Sequence, residues 1–247
     1  MLFRHDPHVI VYRDVGSMSQ AAVEMLAQIA DRAIEERKQL LVALSGGSTP
    51  KRLFQILSRS PFAQNLPWEK MHFFWCDERL VPPDHPESNF GQAKEWLFSQ
   101  VSIPEGNLHR IRGELTPAQA VEEYRRVLES FSDGMQEWPR FDLAYLGLGA
   151  DGHTASLFPG AITPEEEVFP ALAVTADYQG RPAGRVTLTP LAFSSARNLI
   201  FLVSGKDKAH AVYQTLHGEK DLEQWPAQRI QPLDGKVTWL LDDQAAS

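Results

Sequence analysis

Asp151 and His153 stand two residues apart in the run Phe-Asp-Leu-Ala-Tyr-Leu-Gly-Leu-Gly-Ala-Asp-Gly-His-Thr-Ala-Ser-Leu-Phe-Pro-Gly at positions 141–160. An imidazole titrates near neutrality and can pass a proton in either direction, and a carboxylate beside it orients the ring or raises its basicity. The apolar residues Leu143 to Leu146 lead into this glycine-rich corner. A buried strand ending there projects both groups into the crevice at the carboxyl edge of a sheet, where open α/β sheets bind ligands. A lone loop histidine commonly just stiffens a turn; the strand-and-corner setting favours a proton-transfer role.

Gly147, Gly149 and Gly152 also fit the dinucleotide pattern G-x-G-x-x-G. That pattern should open a helix, yet Pro159, Gly160 and Pro164 interrupt the residues that follow. Asp151 would in addition repel a pyrophosphate. The match is read as accidental.

Three other strand ends carry chemistry. Leu40–Leu44 runs into Ser45-Gly46-Gly47-Ser48-Thr49-Pro50, with a helix expected from Lys51. Gly46 and Gly47 allow close backbone approach, Thr49 reads as a cap, Pro50 suits a first turn, and free N–H groups there suit a phosphate. The spacing of a Walker loop is missing. After His72–Cys76 come Asp77, Glu78 and Arg79. The planar fork of Arg79 matches a phosphate or an oxyanion, and a surface pair with Glu78 or Asp84 is the plain alternative. Ser88 or Asn89 is expected to cap the next helix, and Asn89 is also placed to face a pocket. After Leu199–Val203 come Lys206 and Lys208, of which one is expected to point inward.

Those corners need a scaffold, and the rest of the chain supplies one. Strand-like runs recur at Val9–Tyr12, Leu40–Leu44, His72–Cys76, Asp142–Leu146, Ala171–Thr175, Val186–Leu188, Leu199–Val203 and Val237–Leu241. Helical patterns fall at Ser19–Lys38, Asn89–Gln100, Pro117–Phe131 and Lys206–Leu216, with Thr116 as a cap. This alternation predicts a mostly parallel, Rossmann-like sheet with helices on both faces, in one domain over residues 1–247. Asp133–Arg140 and Asp177–Arg185 read as surface loops.

With 24 Lys and Arg against 32 Asp and Glu, the net charge is −8, and no basic run interleaved with aromatics marks a nucleic-acid face. An anionic ligand must therefore be held by a local cluster of donors. The single cysteine, Cys76, excludes an internal disulfide and a cysteine metal site, and reads as strand filler. His5 and His8 lack a third ligand nearby. With no long apolar stretch, no secretory signal and charges at Arg4, His5 and Asp6, a cytoplasmic location with no membrane partner is expected.

Taken together, Leu44–Pro50, Asp77–Arg79 with Pro82 and Ser88-Asn89, Gly147–Gly160, and Gly205–Ala209 resemble the 6-phosphogluconolactonases of the pentose phosphate pathway, in the right order over nearly the whole chain. The resemblance implies a three-layer α/β/α sandwich shared with glucosamine-6-phosphate deaminases, ribose-5-phosphate isomerases and CoA transferases. The deaminase pattern has a tyrosine where this chain has Arg79 and a glutamate where it has Phe158. The implied reaction is hydrolysis of 6-phospho-D-glucono-1,5-lactone, with a sugar phosphate as the partner and no metal or cofactor. In it His153 would be the general base and Asp151 its partner, while Asp77 would hold substrate hydroxyls. Gly46, Gly47, Ser48, Thr49 and Lys208 would grip the phosphate, with Arg185 a weaker candidate. Arg79 would share the phosphate or steady the oxyanion, and Asn89 would join the binding wall. A deaminase-like isomerase and a non-catalytic sugar-phosphate sensor are the rival readings, and monomer and homodimer both stay open.

Overall fold

The computed structural model describes residues 7–247; of the two N-terminal histidines, His5 lies outside them. Strands covered on both faces need side chains without polar atoms. Leu40–Leu44 (β2), Met71–Trp75 (β3), Leu143–Leu146 (β6) and Asn198–Val203 (β9) meet that demand almost throughout. With His8–Tyr12 (β1), Leu108–His109 (β5) and Lys236–Asp242 (β10) they form a seven-stranded sheet in the order β1-β10-β9-β6-β2-β3-β5. Every pairing in it is parallel.

The runs at Ala171–Thr175 (β7) and Gly184–Leu188 (β8) do not join that sheet. They pair antiparallel with each other, and β8 pairs antiparallel with Asp77–Arg79 (β4) on its other side, in a second, three-stranded sheet. The short link over 176–183 is the physical reason, since parallel neighbours need a longer crossover. The two sheets meet at Cys76, whose N–H donates to Leu44 O at 2.8 Å and whose carbonyl accepts from Leu188 N at 2.7 Å. Cys76 is fully buried there, and burial pushes its thiol pKa up, as befits filler.

Helices flank the large sheet in the expected three-layer α/β/α order. They are Val15–Arg37 (α1), Ser48–Leu57 (α2), Phe62–Asn65 (α3), Asn89–Ala93 (α4), Pro117–Glu129 (α5), Pro190–Ser194 (α6) and Ala209–His217 (α7). α1 starts four residues before Ser19 because Asp14 and Ser17 form a capping box. Thr116 caps α5 as its sequence predicts. The Asn89–Gln100 pattern divides into α4 and a π-helical turn at Lys94–Phe98, and Lys206–Lys208 is a separate 3₁₀ turn before α7. The core is dense and aromatic: Phe201 stacks on Trp239 at 4.0 Å, and the Tyr145 hydroxyl donates to Ala22 O at 2.6 Å.

From β2 the chain builds outward to β3 and β5 on one side and, from β6 onward, to β9 and β10 on the other. The gap between the carboxyl ends of β2 and β6 is thus the topological switch point, the expected ligand crevice of such a sheet.

Candidate active site

The turns after β2 and β6 flank that crevice. Ser45 Oγ donates to Tyr145 O at 2.8 Å and ties the two strand ends together. Gly47, at φ +109°, turns the chain and is itself the N-cap of α2, so Ser48, Thr49 and Pro50 form its first turn. Thr49 is therefore not the cap. Its hydroxyl instead lies 3.1 Å from Ser204 Oγ, bridging to the turn after β9. The first N–H groups of α2 face the crevice without a side-chain cap, which leaves them free for an anion.

After β6 the corner closes on itself: Gly149 N donates to His153 O at 2.8 Å and Gly152 N to Gly149 O at 3.0 Å. Gly152 needs its positive φ of +85°, and a side chain at Gly149 would overlap the His153 ring and Asp151. The corner brings His153 Nδ1 to 2.6 Å from Asp151 Oδ1. Burial alone would raise the Asp151 carboxyl, but the hydrogen bonds and charge of His153 outweigh it and hold the pKa below its ordinary value. An ionised carboxylate only accepts, so the neutral ring keeps its proton on Nδ1 and its lone pair on Nε2, ready to take a proton. Phe158 stacks on the ring at 4.7 Å and Tyr178 meets it edge-on at 4.7 Å.

A cavity of about 300 Å³ opens in front of these groups. Gly46, Gly47, Ser48 and Thr49 line one wall, and Asp77, Arg79, Asn89 and Arg185 another. His153 lies on its lining as well, with Lys208 rather than Lys206 from the turn after β9. Asp151 does not line it and stands behind the imidazole. Arg79 does not pair with Glu78 or Asp84: its Nη1 donates to Glu87 O at 2.7 Å. Asp77 is already engaged, accepting from Ser156 Oγ at 2.6 Å and from Asn89 Nδ2 at 3.2 Å. Ser88, not Asn89, caps α4. Arg185 is 3% exposed, and its Nε and Nη2 have no partner. Burial lowers its pKa while leaving it cationic, and two unsatisfied donors beside a cavity await an anion.

The sequence profile of the glucosamine-6-phosphate isomerases/6-phosphogluconolactonase family matches residues 13–239. The chain belongs to that family. A 6-phosphogluconolactonase of Synechocystis sp. is 42% identical over 97% of both chains. The solved 6-phosphogluconolactonase of Trypanosoma brucei superposes with a TM-score of 0.84 at 30% identity, covering 97% of each chain. That of Thermotoga maritima gives 0.81 at 30% identity, over 96% of this chain and all of the other.

In this isomerase/lactonase family member the cavity has a wall that the sequence leaves unmarked. The link between β7 and β8 is not a bystander surface loop: Tyr178, Gln179 and Arg181 line the cavity. A polar loop without glycine-rich strand-end chemistry gives no signal for such a role. Periodicity could have flagged it, because the one-sided burial of β7 marks a hairpin rather than a crossover strand.

Proposed function

We propose that the chain hydrolyses 6-phospho-D-glucono-1,5-lactone to 6-phospho-D-gluconate. The Asp151–His153 pair, 2.6 Å apart on the wall of a cavity rich in anion donors, carries this reading. His153 Nε2 takes a proton from water as its oxygen bonds to the lactone carbonyl carbon. The resulting tetrahedral intermediate collapses by breaking the bond to the ring oxygen, which recovers a proton from the imidazolium. One water is consumed, and the base returns to its neutral form. Asp151 keeps the ring in the productive tautomer and stabilises its transient charge.

The first turn of α2, Lys208 and Arg185 supply the phosphate grip. Arg79 adds a guanidinium whose Nε is likewise unpartnered, so the cavity holds an anion locally despite the acidic chain. Phe158 supports lactone over amino-sugar chemistry. It packs flat on His153 at the position where the deaminase pattern has a glutamate, and a phenyl ring relays no proton.

His153→Asn should lower turnover of the lactone by roughly a hundred- to ten-thousand-fold, the range of general acid–base assistance. Turnover within a few-fold of the parent would remove His153 from the mechanism. Ammonia release from glucosamine 6-phosphate by the parent protein would replace the lactonase reading with the deaminase one.

A further inference from the structure

We propose that buried Glu78 is a positioning residue that, through Asn89, fixes the spacing between the Asp77–Arg79 rim and the Gly46 loop and so sets how tightly the cavity holds its phosphorylated ligand. The proposal rests on the sugar-phosphate reading above. Glu78 is 2% exposed and does not itself line the cavity. Instead its carboxylate gathers four donors. Oε1 accepts from Arg79 N at 2.8 Å and Asn89 N at 2.7 Å, and Oε2 from Phe90 N at 2.8 Å and Ser88 Oγ at 3.1 Å. One side chain thus clasps β4 to the first turn of α4.

Asn89 carries that clasp to the opposite wall. Its Nδ2 donates to the Asp77 carbonyl at 2.8 Å and to the Asp77 carboxylate. Its Oδ1 has no partner and rests on Gly46, so closely that a Cβ there would overlap it. The amide is therefore a spacer, with Asp77 on one side and the loop before α2 on the other. Gly46 is glycine because Asn89 fills the room a side chain would need.

Burying a carboxylate without a counter-cation is costly, and desolvation pushes Glu78 up to about 7 against the pull of its three backbone bonds. The charged groups on the strands around it are Asp77, which adds to the rise, and Arg79 and Arg185, whose guanidinium groups turn to the cavity side; α4 contributes none. Glutamine would be cheaper to bury but has one acceptor oxygen. Its NH2 would be driven against the Phe90 N–H or the Arg79 and Asn89 N–H pair, moving α4 and the spacer with it.

The test is Glu78→Gln, with KM and kcat measured for the lactone and the Kd of 6-phosphogluconate by calorimetry. Both KM and Kd should rise roughly ten-fold or more, the equivalent of one lost hydrogen bond to a charged group, with kcat within about three-fold of the parent. The parent's KM should also climb more steeply than the variant's as the pH falls through about 7. Ser88→Ala, which removes one of the four donors to Glu78 at a residue off the cavity wall, should raise KM and Kd in the same binding-selective way though by less, and decides the matter if Glu78→Gln does not fold. A variant that melts earlier yet keeps the parental KM and Kd, or loses only kcat, overturns the proposal. Absence of lactone turnover and product binding in the parent would instead overturn the sugar-phosphate reading itself.

Discussion

Lys206 and Lys208 lie on one 3₁₀ turn, and Lys208 lines the cavity whereas Lys206 does not. Two residues apart on any helical turn, their side chains diverge, so sequence alone cannot choose between them. Lys208 Nζ is 3.1 Å from the Asp207 carboxylate, a partly exposed pair that a dianionic phosphate can displace. Lys208→Ala should raise KM for the lactone by roughly ten-fold or more, as expected for a lost charge-assisted bond, while Lys206→Ala stays near the parent. The reverse pattern in steady-state kinetics would move the grip to Lys206. At this scale the corners were legible wherever neighbours in the chain are neighbours in the site, as at Asp151 and His153 or Gly46 to Thr49. Tyr178 and Arg181 were illegible because they reach the cavity across a hairpin, and Glu78 because three of its four partners are backbone groups.

Behind the Asp151–His153 corner, the segment from Asp221 to Ile230 acts as a brace. Trp225 packs where a side chain on Gly152 would lie, Ala227 N donates to Gly152 O at 3.3 Å, and Gly160 N donates to Glu223 O at 2.8 Å. Arg229 knits the brace together, donating to Leu222 O at 2.7 Å and Gly160 O at 2.8 Å and pairing with Glu166 at 3.1 Å. Both charged side chains are nearly buried, at 4% and 10% exposed. Arg229→Met strands the Glu166 carboxylate, so a denaturant titration should show a loss of about 3–5 kcal/mol, with Glu166→Gln in the same chain restoring part of it. A loss below about 1 kcal/mol would mean the pair is solvated in solution. Individual elements such as α1, β2 and α5 were readable from periodicity and caps. The brace was not, since a loop's role is set by what it touches, and its contacts lie far away in the chain.

Across the whole molecule, the same division holds for the sheets. Apolar runs announced the parallel strands except the two-residue β5, whereas the detachment of β4, β7 and β8 depended on a short link and on pairing that composition does not encode. Far from the cavity, His72 Nδ1 and His109 Nε2 approach to 3.1 Å, with Phe74 stacked on His109 at 4.6 Å. Burial, with the neighbouring His72 second, lowers His109 from 6.5 to about 4. As acid is added the unfolded chain takes up this proton first, so the stabilisation is complete above pH 6.5 and drains away toward about 4. The urea midpoint should fall over that window, and His109→Gln should flatten the slope; an equal slope in both proteins would exonerate the histidine pair.

The edge of the large sheet carries a consequence for how the protein is made. β1 has β10 as its neighbour, with His8 opposite Thr238 and Tyr12 opposite Asp242. A ribosome delivers those partners more than two hundred residues apart in synthesis. β1 must therefore wait for this neighbour until β10 has been made, so that side of the sheet closes late. Until then a short strand with exposed Val9 and Val11 is available to other chains.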